Sequence, residues 1–397
     1  MYEIPRHLTS ALCNNTESYF GSERVVHISG PNCSGKTHIM QKYLETIDDE
    51  LVLRVDGNDI TSRILIMSND STALFDWSRG KRVIFIDNAQ RIQRLDRSLK
   101  ILTSKEAQDA GVDPNIQILL TYSTRSIEDK HQIRVYPVAI SELRLLYRST
   151  PVNDLLQDIL IYGALPEVLS SPSIPEKRDM LIKIVNTEML KDVFELERIA
   201  NSKSMMELLY YIALHINKST SLNMIANKVG INPRTAERYI KILEKHYIIH
   251  EHKAYKNRLT NEISKFSRFY FYDIGIRNAL INNFNDSKRR NDMDSLWANF
   301  LIIERHKAQE LKGISHANDV ESYFWETWSS KDIDLIETGL GEKTDYGLHA
   351  YRFYYDPDSG KYSVNPPKVF AQAYFDASFE VITPSNFEEF IHADFKI

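Results

Sequence analysis

One short motif constrains this chain more than any other feature of its sequence. Residues 30–37 read Gly-Pro-Asn-Cys-Ser-Gly-Lys-Thr and fit G-x-x-x-x-G-K-[ST] at every fixed position. An apolar strand pattern, residues 24–29, precedes the motif, and an amphipathic helical pattern, residues 38–45, follows it. Strand, glycine-rich turn and helix N-terminus together direct backbone N–H groups at a polyanion. The sequence therefore predicts a nucleoside triphosphate site made by Gly30, Pro31, Asn32, Cys33, Ser34, Gly35, Lys36 and Thr37.

Two side chains of this motif and one at the end of a later strand carry the expected chemistry. Lys36 is expected to reach the β- and γ-phosphates, and the Thr37 hydroxyl is expected to coordinate Mg²⁺. Residues 81–87 contain four apolar residues followed by Asp87, which resembles a Walker B strand. A carboxylate at that strand end would hold the metal ion opposite Thr37. Thr37 and Asp87 are therefore the predicted metal ligands.

The residue that follows Asp87 bears on hydrolysis. In additional-strand ATPases a Glu usually stands there and polarises the attacking water, but this chain has Asn88. An amide can hold a water molecule but cannot accept its proton at neutral pH. We therefore expect slow hydrolysis unless Asp87 or another group substitutes. Thr121 and Ser123 lie at the end of the next strand, either as sensors of the γ-phosphate or as strand caps. The predicted catalytic residues are Lys36, Asp87, Asn88 and Ser123.

The spacing of apolar runs predicts the fold. Five short β-branched runs alternate with helical stretches, at residues 24–29, 51–56, 81–87, 116–121 and 133–138. This alternation predicts an α/β fold with a mostly parallel P-loop NTPase sheet covered by helices on both faces. The length of 397 residues allows further domains. We expect an ATPase core at 1–143, a helical lid at 144–204, a winged helix-turn-helix at 205–284 and a C-terminal domain at 285–397.

Composition points to a cytoplasmic protein that does not contact a membrane. We find no apolar run long enough to cross a bilayer, and the N-terminal residues lack the pattern of a signal peptide. The two cysteines, Cys13 and Cys33, have neither partners at zinc-binding spacing nor a disulfide framework around them.

Residues 221–245 predict a helix-turn-helix. Gly230 would end the first helix, Asn232 would cap the second and Pro233 suits its first position. Between Thr220 and Arg268 the chain has ten Lys/Arg against four Glu, a local charge of +6. A basic second helix of this kind fits a DNA major groove, with the following wing at 246–260 on phosphates. The alternative is a protein-docking module with a solvated basic face. The candidate nucleic-acid contacts are Arg234, Arg238, Lys241, Lys245, Lys253, Lys256 and Arg258.

The order of the motifs resembles a widespread prokaryotic family of AAA-type ATP-binding proteins. After the phosphate loop come "IFIDNAQ", "ILLTYS", "IRVYPVAISEL", "YGALPEVL" and "FYFYDIGIRNAL", so the resemblance covers nearly the whole chain. It implies ATP as the nucleotide and a C-terminal domain with a restriction-endonuclease-like core. The chain departs from the family at Asn88 and at Tyr122, where Gly is usual. No arginine finger is evident in residues 127–133.

The same resemblance raises the hypothesis that the C-terminal domain is a nuclease. A nuclease site needs two or three carboxylates and a lysine around a metal ion. The positions that would supply them correspond to Ala298 for the helix Glu, Asp334 for the strand Asp, and Ala350 and Arg352 for the Glu and Lys of a Glu-x-Lys element. With one carboxylate left, we expect a degenerate domain without nuclease activity, serving as a binding or scaffolding lobe. We expect Asp334 to be a leftover or solvated residue at a strand end. Residues 318–397 are also acidic, with a local charge of −9.

Three functional hypotheses follow from the sequence. The first is an ATP–Mg²⁺-binding switch protein with slow or absent hydrolysis, whose nucleotide state is coupled to a DNA-binding winged helix. The second is an active DNA-stimulated ATPase. The third is a nucleotide-gated protein-interaction scaffold without DNA binding. The expected partners are a nucleotide, double-stranded DNA, and a protein partner or a second copy of the chain.

Overall fold

The computed structural model describes residues 6–9, 24–125, 132–197, 199, 201–312, 320–339, 347–356 and 362–393. Residues 127–131, in the stretch where an arginine finger was sought, and residues 1–5 of the N-terminal start lie outside these ranges. The chain divides into two compact units. The first contains residues 1–148, 195–197 and 245–247, and the second contains 149–194, 198–244 and 248–397. The finer division into four domains stays a prediction.

Strands and helices alternate in the first unit. In chain order they are β1 (Val25–Ser29), α1 (Lys36–Leu44), β2 (Val52–Asp56), α2 (Ile60–Ser68), α3 (Ser71–Ser78), β3 (Val83–Asp87), α4 (Leu95–Leu102), α5 (Lys105–Asp109), β4 (Gln117–Tyr122), β5 (Gln132–Arg134) and α6 (Ile140–Leu146). The strands form a five-stranded parallel sheet in the order β2-β3-β4-β1-β5. The predicted α/β fold with a parallel sheet is thus confirmed.

The apolar strands of this sheet are buried on both faces, as parallel strands usually are. In β3, Ile84 and Ile86 pack into a core with residues of α2, α3 and α4. Val83 and Phe85 point to the opposite face and pack with residues of α1. Because side chains alternate along a strand, one apolar run can supply both cores. Because these strands run parallel, the carboxyl ends of β1, β3 and β4 lie at one edge of the sheet.

The fifth strand differs from the sequence prediction. It was expected over residues 133–138 but spans Gln132–Arg134. Beyond it, Val135 N donates to Ser29 O at 2.7 Å, which keeps the chain against β1. Pro137 has no backbone N–H, so it cannot extend the ladder.

The second unit contains the remaining elements. They are α7 (Val152–Tyr162), α8 (Pro166–Leu169), α9 (Ile174–Lys183), α10 (Leu190–Leu196, whose last two residues belong to the first unit), α11 (Ser202–Leu214), α12 (Leu222–Val229), α13 (Pro233–Lys245, whose last residue belongs to the first unit), β6 (Ile249–Lys253), β7 (Ser267–Phe271), α14 (Ile274–Leu280), α15 (Met293–Leu311), β8 (Val320–Glu326), β9 (Asp332–Gly339), β10 (Leu348–Phe353), α16 (Lys368–Ala373), β11 (Ser378–Ile382) and α17 (Phe387–His392). Strands β6 and β7 pair antiparallel, and β11-β10-β9-β8 form a four-stranded sheet. Within the described ranges, no helix has the length and apolar character needed to cross a membrane.

Helices α12 and α13 begin and end where the sequence predicts. Gly230 ends α12 at φ 73°, a left-handed conformation that glycine adopts readily. The Asn232 side chain accepts a hydrogen bond from Thr235 N at 2.8 Å and so caps α13. Ile240 and Leu243 of α13 are buried. The two predicted helices and the short turn between them are therefore present, while the interpretation of this segment as part of a winged helix stays a prediction.

The segment between β6 and β7, expected to form the wing, is bonded to β8 of the same unit. Tyr255 N donates to Phe324 O at 2.6 Å, and Ile263 N donates to Glu326 O at 3.0 Å. The buried Glu262 carboxylate accepts a hydrogen bond from Trp325 Nε1 at 2.7 Å. These bonds hold residues 254–263 along the C-terminal sheet.

Asp334 is buried within β9, so the expectation of a solvated strand-end residue was wrong. Its carboxylate accepts hydrogen bonds from Arg268 at 3.3 Å and from Phe353 N at 2.9 Å, and its other ion pair, to Arg352, spans 3.4 Å. Burial raises the pKa of Asp334 above its ordinary value. Burial also acts to raise the pKa of Asp332, but the guanidinium groups of Arg268 and Arg352 outweigh it and lower that pKa. Two guanidinium groups thus occupy the centre of this acidic cluster.

Replacing Arg268 by Met is expected to lower the free energy of unfolding by about 3–5 kcal/mol, because it removes one of the two cations that neutralise this buried carboxylate cluster. Arg268 is 4% exposed and its Nη2 lies 3.1 Å from carboxylate oxygens of both Glu326 and Asp332. Urea unfolding measures the change. The control is Arg289→Met, because the Arg289 side chain is 79% exposed and its pair to Asp286 spans 3.7 Å, so little change is expected. Equal effects of the two substitutions would contradict this account.

Candidate nucleotide-binding site

The predicted phosphate loop joins β1 to α1 in a tightly packed turn. A Cβ added to Gly30 would lie 2.0 Å from Val135 O, so only glycine fits beside this carbonyl. Gly35 has φ 93° and Cys33 has φ 61°, and Ser34 N donates to Pro31 O at 3.3 Å. Gly35 adopts its positive φ without a clash because glycine has no Cβ. The loop is consequently a compact cradle at the N-terminus of α1.

Lys36 and Ser34 supply polar groups inside this cradle. The Lys36 ammonium donates to Gly30 O at 3.0 Å and to Pro31 O at 2.6 Å. Ser34 is fully buried, and its hydroxyl has no hydrogen-bond partner among the described residues. A buried hydroxyl usually has a partner, since an unmade hydrogen bond is destabilising. The residues present therefore fit an anionic ligand that would accept bonds from the loop.

The predicted metal ligands lie in contact with each other. Thr37 Oγ1 donates to Asp87 Oδ2 at 2.9 Å, which brings the start of α1 to the end of β3. The other Asp87 oxygen accepts hydrogen bonds from the Thr121 hydroxyl and from Asn88 N. Within the described ranges, no group of three His, Cys, Asp or Glu residues could hold a metal ion. A magnesium ion here would therefore need phosphate oxygens and water to complete its octahedral shell.

Asn88 adopts a left-handed conformation and points its amide at a second strand-end carboxylate. It has φ 54° and ψ 41°, a region that Asn populates more readily than most side chains. Asn88 Nδ2 donates to Asp56 Oδ1 at 3.1 Å. Asp56 ends β2, beside Asp87 in the parallel register. Asp56 was not among the predicted site residues, although it ends a predicted strand as Asp87 does.

Ser123 lies at the same sheet edge and is bonded to a residue that the sequence analysis missed. Gln90 Nε2 donates to Ser123 Oγ at 2.8 Å, and Ser123 N donates back to Gln90 Oε1 at 3.3 Å. The Thr121 hydroxyl donates a hydrogen bond to the Asp87 carboxylate. These bonds tie the end of β4 to the segment after β3, which fits the strand-capping interpretation without testing the sensor role.

The comparison with protein families bears on this geometry. Residues 22–143 match the family model of an AAA domain. The match covers all five strands of the parallel sheet and the phosphate loop, and it supports a P-loop ATPase domain of the AAA type over these residues. Residues 153–287 match a second model, described as a domain of unknown function, DUF8612. No curated protein sequence matches the chain.

Several solved structures resemble the chain at low sequence identity. The Walker-type ATPase of Pyrococcus abyssi is 14% identical, with a TM-score of 0.48 over 70% of this chain and 96% of that one. AMPPCP-bound DnaA from Aquifex aeolicus is 12% identical, with a TM-score of 0.31 over 60% and 86%. A RuvB variant from Thermotoga maritima is 18% identical, with a TM-score of 0.30 over 61% and 85%. Likeness of this degree carries no argument about what this chain binds.

The candidate nucleic-acid contacts are all exposed, but their neighbours differ. On α13, Lys241 pairs with Glu237 at 2.6 Å and Lys245 pairs with Glu197 at 2.7 Å. Arg258 forms two hydrogen bonds of 2.8 Å to Asp376, and these bonds hold the pKa of Asp376 below its ordinary value. That pairing fits a role in fixing residues 254–263 against the C-terminal sheet. The remaining exposed candidates are Arg234, Arg238, Lys253 and Lys256.

Proposed function

We propose that this chain is an AAA-type switch protein that binds ATP and Mg²⁺ and hydrolyses ATP slowly or not at all. In this proposal the loop N–H groups, Lys36 and Ser34 bind the phosphates, while Thr37 and Asp87 hold the metal ion. Bound Mg²⁺ would neutralise charge on the β- and γ-phosphates. The state of the nucleotide site would then govern a DNA-binding winged helix.

One observation carries the proposal of disabled hydrolysis. The residue after Asp87 is Asn88, and its amide donates to Asp56. An amide has no basic oxygen able to take a proton from water near neutral pH. The site thus has groups suited to binding a nucleotide but lacks the usual carboxylate after Asp87.

Nucleotide binding is tested first with the unmodified protein. Titration with ATP and GTP, each with Mg²⁺ or with EDTA, is expected to show saturable binding of ATP that weakens without the metal ion. The preference for adenine rests on the family resemblance and on the absence of an N-K-x-D motif in the sequence. Failure to bind either triphosphate would reject the proposal, and preference for GTP would reject its adenine part.

We further propose that the exposed face of α13 contacts the phosphate backbone of double-stranded DNA. The face carries Arg234 and Arg238 at helical spacing, with apolar residues buried on the opposite side. Contacts of this kind supply mostly sequence-independent affinity that falls with salt. Local positive charge is therefore the support for this proposal, and sequence preference is not part of it.

The double substitution Arg234→Gln/Arg238→Gln is expected to weaken duplex binding and to reduce the slope of log affinity against log salt by roughly 2, since each lost phosphate contact removes about 0.9. Fluorescence anisotropy at several salt concentrations measures both quantities. The control is Arg97→Gln/Arg289→Gln, which removes two exposed arginines outside α13. An unchanged slope in the α13 variant, or an equal change in the control, would contradict the proposed contact surface.

One observation favours the second candidate function, an active ATPase. The Asp56 carboxylate accepts a hydrogen bond from the Asn88 amide at 3.1 Å, so a basic group lies next to the side chain that replaces the usual Glu. If the unmodified protein turns over ATP, Asp56→Asn should abolish that turnover while leaving ATP binding intact. Turnover that survives this substitution would exclude Asp56 as the substitute base.

Another observation favours the third candidate, a protein-interaction scaffold. Residues 254–263, expected to touch DNA as a wing, are bonded to β8, and Arg258 is paired with Asp376. A protein partner or a second copy of the chain would then take the place of DNA. Absence of salt-dependent duplex binding by the unmodified protein would favour this candidate.

A further inference from the structure

We propose that Arg6 is a positioning residue for phosphate binding, acting through the backbone of the phosphate loop. Its Nη1 donates to Ser34 O at 2.8 Å, and its Nη2 donates to Tyr136 O at 2.7 Å. Its Nε donates to Glu142 Oε1 at 3.2 Å. The inference rests on the proposed nucleotide site and adds to it a residue outside the motif.

The direction of one peptide group explains how Arg6 would act. In a trans peptide the C=O of one residue and the N–H of the next point in opposite directions. Arg6 holds Ser34 O, so the N–H of Gly35 must point away from the guanidinium group. Gly35 has φ 93° and, lacking a Cβ, could readily turn this peptide over. The bond from Arg6 therefore fixes the direction of a backbone donor that the loop offers to an anion.

Arg6 is itself held firmly enough to serve as an anchor. The Arg6 side chain is 9% exposed and that of Glu142 is 5% exposed, so their ion pair is shielded from water. Glu142, in the first turn of α6, also accepts hydrogen bonds from His7 N at 2.8 Å and from Ala139 N at 2.9 Å. Removing one partner of such a buried ion pair strongly destabilises the folded protein. Glu142 of α6 thus holds the guanidinium group of Arg6 in place.

The second contact of Arg6 reaches the other end of the phosphate loop. Tyr136 follows Val135, whose carbonyl packs against the Cα of Gly30. By bonding to both Tyr136 O and Ser34 O, one guanidinium group ties the wall beside Gly30 to the second half of the loop. Nε, Nη1 and Nη2 each donate to a protein oxygen. Arg6 is consequently placed to shape the loop rather than to touch the phosphates.

The test compares ATP with adenosine in Arg6→Gln and Arg6→Lys. Both ligands compete with a fluorescent ATP analogue, and we expect Arg6→Gln to weaken ATP binding roughly 10-fold or more, as for a lost charge-assisted hydrogen bond. Adenosine, which has no phosphate, should bind as in the unmodified protein. Arg6→Lys keeps the charge but cannot bond to both carbonyls in the same fixed geometry, so an intermediate loss is expected. If Arg6→Gln does not fold, Arg6→Lys alone decides the test.

A direct readout of the loop separates positioning from general stabilisation. With ¹⁵N-glycine labelling, the Gly35 amide proton should shift downfield when ATP is added to the unmodified protein, and this shift should be lost in the Arg6 variants. The control is Arg24→Gln, which removes another partly buried arginine of the same unit, bonded to Thr103 O at 3.3 Å. Wild-type ATP affinity in Arg6→Gln, or equal weakening of ATP and adenosine, would overturn the inference alone. No ATP binding by the unmodified protein would instead reject the proposed function together with it.

Discussion

Lys36→Ala is expected to lower the affinity for ATP roughly 100-fold. The Lys36 ammonium lies within the loop, bonded to the carbonyls of Gly30 and Pro31. On ATP binding it would exchange those neutral acceptors for charged phosphate oxygens, and hydrogen bonds to charged groups contribute about 1.5–3 kcal/mol each. Equilibrium titration with ATP and Mg²⁺ measures the change.

A lysine on the same helix provides the control for this substitution. Lys42 is partly exposed, pairs with Glu45 at 3.3 Å, and lies nearly two turns further along the helix than Lys36. Lys42→Ala should leave ATP affinity almost unchanged. Thermal unfolding without nucleotide would show whether either substitution disturbs the fold itself. A Lys36→Ala variant that folds and binds ATP as tightly as Lys42→Ala would contradict the assigned role.

Asn88→Glu is expected to raise the rate of ATP hydrolysis by about 10²-fold or more, the range that general-base catalysis supplies. Two features of the site oppose the gain. Glu tolerates φ 54° less well than Asn, and its carboxylate would meet that of Asp56. The double substitution Asp56→Asn/Asn88→Glu removes the repulsion, so we expect it to exceed the single one. Steady-state phosphate release measures both rates.

Asn69→Glu is the matched control for this gain of activity. Asn69 has the same φ of 54° but caps the end of α2, away from the carboxyl edge of the sheet. The Asn69→Glu substitution introduces the same charge and the same backbone strain without placing a base near Asp87. Hydrolysis should remain at the level of the unmodified protein. If the Asp56→Asn/Asn88→Glu variant binds ATP without any gain in turnover, the missing carboxylate is not what limits hydrolysis.

The sequence predicts those parts of the site that are formed by residues close together in the chain. The phosphate loop is one continuous run of residues, so its motif gives both the turn and the helix that follows. Asp87 was found because a buried parallel strand reads as an apolar run and ends in a polar residue at the sheet edge. Its contact with Thr37 then follows from the parallel arrangement of β1 and β3 around β4.

The parts that the sequence did not predict depend on contacts between distant residues. Arg6 reaches a carbonyl 28 residues away and a carboxylate 136 residues away. An isolated arginine near the chain start carries no pattern that marks such partners. Gln90 was missed for a similar reason, because its bonds to Ser123 form only when neighbouring strands align. Asp56 ends its strand as Asp87 does, so its position was readable from the sequence, but its contact with Asn88 arises only from the pairing of β2 with β3.

Asp334 shows the same limit in the second unit. No partner for Asp334 could be predicted from the sequence, and a lone carboxylate in a strand is usually solvated. The structure places Arg268 and Arg352 against it, from β7 and β10 respectively. These ion pairs join side chains of β7, β9 and β10, and such tertiary contacts cannot be predicted from the pattern of apolar residues.

The central claim is that the chain binds ATP at an intact phosphate loop but lacks the group that activates water. The most direct test is steady-state hydrolysis by the unmodified protein at saturating ATP and Mg²⁺, with and without duplex DNA, with ATP occupancy measured in the same samples. We expect full occupancy with phosphate release no faster than in the Lys36→Ala variant. Clear turnover that DNA accelerates would contradict the claim and favour an active ATPase.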